Sequence, residues 1–275
     1  MPVIEYHLYR IKFIKPSQMT LFYSDVSPSD LFSMALNEKP TITLKKDNVW
    51  HIGNIEYFDK FCGAFAIGRT TKTTVERYDN NTGNFIEQLD DSCPYTYVLF
   101  DRSIGVLGVA KKTKVAPDVQ AIARKIEGIF DNSTSVKERG INVLVDIIPD
   151  PEDFIEKIRS AYSIKRFKAF FTGPNPIDAD EIFQKPLSIY CQNLNGNYGS
   201  VEIVGDALNE EGVEAVAKST AATGNTASAR IQTDKEKKLI SVQLRGDAVR
   251  VPVDQSSGRE QALREVKEAY YRVRG

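Results

Sequence analysis

Apolar and polar positions alternate with a period of two from the start of the chain. Tyr6–Ile14 alternates around Leu8, Arg10 and Lys12 until Pro16 stops it, the pattern of a β-strand. Asp25-Val26-Ser27-Pro28-Ser29-Asp30 reads as a turn and helix cap, which predicts a short helix over Leu31–Leu36 ahead of Pro40. Thr41–Leu44, Val49–Phe58 and Gly63–Val75 are rich in β-branched and aromatic residues and are predicted strands. Asp79-Asn80-Asn81-Thr82-Gly83-Asn84 supplies turn residues for a hairpin that returns through Phe85–Leu89. Tyr95–Phe100 and Ile104–Ala110 complete an expected antiparallel sheet. From Pro117 the period changes. Val119, Ile122, Ala123, Ile126, Ile129 and Phe130 fall on one side of a helix that is expected to cover a face of that sheet.

The polar run Asp131-Asn132-Ser133-Thr134-Ser135 is the expected linker. It divides the chain into a β-rich domain with one long helix (1–131) and an α+β domain (136–275). The second half alternates strand and helix. Strands are expected at Ile141–Ile148, Ile164–Phe171, Ser200–Val204, Thr226–Thr233, Leu239–Leu244 and Ala248–Val253. Helices are expected at Phe154–Tyr162, Ile177–Leu194 (kinked or divided at Pro186), Asn209–Thr223 and Arg259–Val273. The order βαβαβαβββα indicates α+β. The whole is a sheet-rich first half with a covering helix, followed by a mixed second half.

Composition narrows the class. With 41% hydrophobic and 27% charged residues the chain reads as globular, and no apolar stretch is long enough to span a bilayer. The three cysteines, Cys62, Cys93 and Cys191, form no CxxC pair, and the opening residues show no basic-then-apolar leader. The expected location is the cytoplasm. Net charge is −1, but unevenly distributed: −3 over residues 1–101, +4 over 102–172, −6 over 173–229 and +4 over 230–275. Two basic segments around an acidic one can fold into a molecule with one cationic face.

Candidate chemistry is sparse. His7 and His51 have no Cys, His, Asp or Glu at a ligand spacing, so no metal or cofactor is expected, and no catalytic residue is assigned. Acidic groups such as Asp150/Glu152/Asp153 and Asp178/Asp180/Glu181 stand where helices begin, as the helix dipole favours. Asp146 with Lys165 or Lys168 is the one arrangement that approaches a metal-dependent nuclease. Neither GxGxxG nor GxxxxGK[ST] occurs; Gly105-Val106-Leu107-Gly108 marks a strand that a helix or a neighbouring backbone could approach closely.

Cations remain. Lys111, Lys112 and Lys114 follow a strand, and Arg124 and Lys125 lie on the next helix. Lys165, Arg166 and Lys168 share one strand, and Arg264 and Arg272 belong to the last helix. Without a base-reading motif, such residues fit phosphate contacts that position a nucleic acid without reading its sequence. The last helix also gathers Ala262, Leu263, Val266, Ala269, Tyr270 and Val273 on one side, for packing within the chain or for self-association.

In its order of parts the sequence resembles the RexA-like phage-exclusion proteins and a wider group tied to anti-phage defence. The resemblance runs through Tyr97-Val98-Leu99-Phe100, Ile104-Gly105-Val106-Leu107-Gly108, the Lys-Thr-Lys turn and the helix after it. It continues through Asn175-Pro176 before a helix, the hairpin Ala227–Gln232 with Leu239–Leu244, the strand Val249–Val253, and an Arg/Glu/Tyr-rich closing helix. It implies a two-domain dimer that binds DNA with little sequence preference and acts in phage exclusion or defence. The expectation is therefore a non-enzymatic homodimeric component that contacts duplex DNA, with a second protein of a defence system as a further partner. A metal-dependent nuclease effector and a protein-interaction subunit without nucleic acid are the alternatives.

Overall fold

A computed structural model describes residues 2–14, 26–45, 48–172, 180–236 and 238–275. The expected break at Pro16, the Gly173–Pro176 stop with Asn175-Pro176, Asp178, and the first residues of the helix expected from Ile177 lie outside them. Among the described residues the fold is α+β, built from thirteen strands and seven helices in two antiparallel sheets.

The large sheet has nine strands. β1 (Val3–Ile14) is flanked on one side by β7 (Val106–Ala110), followed by β6 (Tyr95–Asp101), β4 (Cys62–Asp79), β3 (Asn48–Tyr57) and β2 (Thr41–Lys45); β5 (Asn84–Ser92) pairs with β4. The other edge of β1 is shared by two strands from the second half of the chain. β13 (Arg250–Asp254) pairs with Val3–His7, and β8 (Asn142–Ile147) pairs with Tyr9–Ile14. The large sheet therefore takes strands from both sides of the expected 131–136 boundary. The polar run at that boundary forms a short helix, α3 (Thr134–Lys137), with Ser133 and Ser135 buried. Both Glu38 carboxylate oxygens accept from its first amides, Thr134 N at 2.6 Å and Ser135 N at 3.0 Å. Glu38, just past the end of the preceding first helix, thus caps the short helix that this polar run begins.

Both faces of the central strands of the large sheet are covered. Near-continuous burial along the first part of β4 and along β7 follows from this. On one face Tyr9, Ile11, Phe13, Phe65, Ile67, Val98 and Phe100 meet α1 (Pro28–Asn37) and α2 (Val119–Asp131). On the other face Tyr6, Leu8, Ala64 and Leu99 meet α7 (Arg259–Arg274). The Cβ that a side chain would add at Gly108 falls 3.0 Å from Val266, so the glycine is what admits α7 at this distance.

The same second core continues into the small sheet, ordered β10 (Tyr198–Val204), β9 (Ser163–Thr172), β11 (Ala227–Gln232) and β12 (Ile240–Leu244). Helices α4 (Glu152–Arg159) and α6 (Glu210–Ala222) pack with α7 between the sheets; α5 (Gln184–Asn193) precedes β10. Pro186 lies in the first turn of α5, where a missing N–H costs nothing, so no kink arises. The apolar side of α7 is consumed within the chain and forms no exposed seam.

Candidate nucleic-acid interface

Burial alternates along β9: Phe167, Ala169 and Phe171 point into the core, while Arg166 and Phe170 are exposed and Lys168 half-buried. Residues paired directly across strands share a face. The outer face of the small sheet can therefore be read from its register. Arg166 stands between Val204 on β10 and Arg230 on β11, and Arg230 faces Ser241 on β12. One step along, Lys168 stands between Glu202 and Ser228, and Ser228 faces Gln243. Phe170 is next, opposite Ser200, with Tyr198 at the diagonal position and 79% exposed. Arg245 follows directly on the end of β12 and is exposed.

Charge on this face is predominantly positive. Glu202 pairs with Arg166 at 3.3 Å, and the Lys168 ammonium lies 4.8 Å over the Phe170 ring. Arg166 and Arg230 stand directly opposite each other, where like charges repel, and Glu202 neutralises the Arg166 side of the pair. Aromatic rings beside cations on an open antiparallel sheet are the elements used to hold single strands, with phosphates on the cations and bases on the rings.

The expected cations divide among five places. Arg166 and Lys168 belong to this face. Lys165, beside them in sequence, instead donates to the Asp206 carbonyl at 2.5 Å. Lys111, Lys112 and Lys114 follow β7, where Lys111 reaches Glu5 at 3.3 Å and Lys112 lies 4.9 Å over Tyr95. Arg124 and Lys125 ride on α2, across the large sheet from α7 with Arg264 and Arg272. Arg264 is occupied by Glu260 at 3.4 Å and by Gln261. One patch made of all ten is not what the fold builds. Arg230 escaped the sequence reading. Its signal was the alternation of Ser228 and Arg230 with buried Ala227, Ala229 and Ile231, but nothing local pairs β11 with β9.

The other candidate groups are held in structural contacts. Asp146 meets neither Lys165 nor Lys168; its partner is Lys12, at 2.8 Å across β1 and β8. Lys12 also donates to Thr172 and Asn225, tying the two sheets together, and burial pushes its ammonium down from the usual lysine range. His7 bonds Glu5 and His51 bonds Thr70. Cys62 is pushed up to about 12 by burial and by the nearby Asp101 carboxylate, which keeps it a thiol. Among the described residues no group of three His, Cys, Asp or Glu is placed to hold a metal ion. Beneath the small sheet a cavity of about 320 Å³ is lined by Phe167, Ala169, Val201, Leu208, Val213 and Val216 beside Asn209, with no titratable group. Among the described residues no helix is long and apolar enough to cross a membrane.

No protein-family model matches the chain, and no curated protein matches it in sequence.

Proposed function

We propose that the protein is a polynucleotide-contacting component that holds single strands, without reading their sequence, on the outer face of β10-β9-β11-β12. The observation that carries the reading is the row of cations Lys168, Arg230 and Arg245 beside Phe170 on an open sheet face, with Arg166 opposite Arg230 and held by Glu202. Each cation on this face that is not already paired adds a contact to the phosphate backbone. Lys168 has a flexible stem and can leave the Phe170 ring for a phosphate, which opens the ring to a base. The sheet presents side chains on a broad surface and inserts no helix into a groove, which favours single strands over the duplex expected from sequence. A role in phage exclusion or defence comes from the resemblance; the polynucleotide contact comes from the geometry.

Fluorescence anisotropy with a labelled oligothymidine and a labelled hairpin duplex tests this. Single strands should bind more tightly, and Phe170→Ala should weaken only them, by about 1–3 kcal/mol as stacking contacts usually do. Equal affinity for both nucleic acids, with Phe170→Ala inert, would overturn the assignment.

A further inference from the structure

β4 outlasts its sheet. β3 pairs with it as far as Thr70 and β6 as far as Gly68; among the described residues its one partner from Thr71 to Asp79 is β5. Nine cross-strand pairs, Thr71↔Ser92 to Asp79↔Asn84, make a two-stranded ribbon about 30 Å long. At the tip, the Asp79 carboxylate accepts from Asn81 N and Thr82 Oγ1, and Gly83 takes a φ of +67°. Such a ribbon is marginal alone in water. This one also exposes large apolar side chains: Phe85 at 83% and Leu89 at 68%, with Tyr78 against Phe85 at 5.2 Å. Register places Leu89, Glu76, Glu87, Tyr78 and Phe85 on a single face, with the two glutamates directly opposite each other. Like charges in that position destabilise an isolated hairpin. Residues 71–92 carry two cations, Lys72 and Arg77, against five acids, Glu76, Asp79, Glu87, Asp90 and Asp91.

Just beyond the root of the ribbon, past Asp90 and Asp91, the surface has the opposite character. Arg69 N bonds the Pro94 carbonyl there, and Tyr95 opens β6. Lys112 lies over Tyr95, the Tyr95 and Tyr97 rings meet edge to face at 5.7 Å, and Lys111 and Lys114 stand alongside in sequence. The molecule thus carries an acidic, apolar-faced arm and, where that arm begins, a basic surface with exposed aromatic area.

We propose that the β4–β5 ribbon is an exchange arm and that its occupant is a second copy of this chain, the arm of each copy lying across the basic, tyrosine-bearing root of the other. A two-fold axis between the ribbons satisfies both contacts at once, because the tip of each arm then reaches the root of its neighbour. Glu76 and Glu87 meet Lys112 and Lys114 of the second copy, and Phe85, Tyr78 and Leu89 cover its Tyr95. This inference is independent of the nucleic-acid face, which lies on the other sheet.

Sedimentation velocity on the full chain tests the proposal, with far-UV circular dichroism confirming that each variant is folded; all the substituted side chains are on the surface. The wild type should be dimeric, and Phe85→Asp with Leu89→Asp should raise the dimer dissociation constant about tenfold or more. Reversing the arm (Glu76→Lys with Glu87→Lys) or the root (Lys112→Glu with Lys114→Glu) should each weaken the homodimer. An equimolar mixture of the two reversed proteins should regain wild-type association, since every arm then meets a root of opposite charge. That rescue cannot come from a merely structural role. A wild type that stays monomeric up to about 100 μM, a dimer indifferent to the arm substitutions, or a mixture that fails to recover would each overturn the proposal.

Discussion

Glu202→Gln should tighten single-strand binding, although it removes no steric barrier and adds no cation. Of the cations at the outer face of the small sheet, Arg166 is engaged by Glu202 at 3.3 Å, which leaves Lys168, Arg230 and Arg245 for phosphates. Each phosphate neutralised on a single strand contributes about −0.7 to the slope of log K against log salt, so three contacts give about −2.1. Raising salt from about 50 to 200 mM should then weaken wild-type binding about 20-fold. Glu202→Gln releases Arg166 as a fourth contact and steepens the slope to about −2.8, worth about eightfold in affinity at 50 mM. Arg230→Gln should flatten the slope to about −1.4. Anisotropy titrations of labelled oligothymidine across a salt series read all three values. A slope that none of these substitutions moves, or weaker binding by Glu202→Gln, would show that phosphates do not lie on this face.

The remaining predictions concern the frame around the site. At pH 8 a thiol reagent should modify Cys93, which is exposed, within minutes, while Cys62 and Cys191 react only on unfolding, because both are buried and burial pushes both thiols up. Lys267→Met should cost about 2–3 kcal/mol in urea denaturation at pH 7, because it leaves the Asp101 carboxylate, 1% exposed and 2.6 Å from the ammonium, with neutral donors such as Ser103 and the Cys62 thiol in place of a cation. Burial alone would raise Asp101, but Lys267 and Ser103 hold it below the usual carboxylate range; its contribution is present above the unfolded value and lost as pH falls through the lower folded one. The wild type and Lys267→Met should therefore converge in stability below about pH 4, and a gap unchanged by acid would remove the ion pair from the explanation. Gly108→Val should destabilise by about 1–3 kcal/mol through overpacking against Val266, whereas Gly53→Ala, with nothing within 4 Å of the added carbon, should be close to neutral by the same measurement.

Much of the secondary structure was legible in the residues. The order βαβαβαβββα of the second half is found as read, because each element is set by a local period, a cap such as Asn209, or a turn. The amphipathic stripes of α2 and α7 named their buried residues correctly, and the glycine at 108 marked where a helix would come close. Periodicity says which side chains share a face, but not what covers that face. Arg10 and Lys12 continue the side of β1 that carries Tyr6 and Leu8, and α7 and the α6–β11 turn bury that side, so Arg10 is only 2% exposed against Tyr270. Pairing between distant strands is equally silent in the sequence. Nothing local joins β8 and β13 to β1 across more than a hundred residues, or sets Arg230 opposite Arg166. The chain by itself determined its elements and their apolar faces, because those follow from interactions a few residues apart. The tertiary structure decided which faces stay open, which cations meet, and that β4 and β5 run on past their sheet, because those depend on contacts whose partners the sequence does not place side by side.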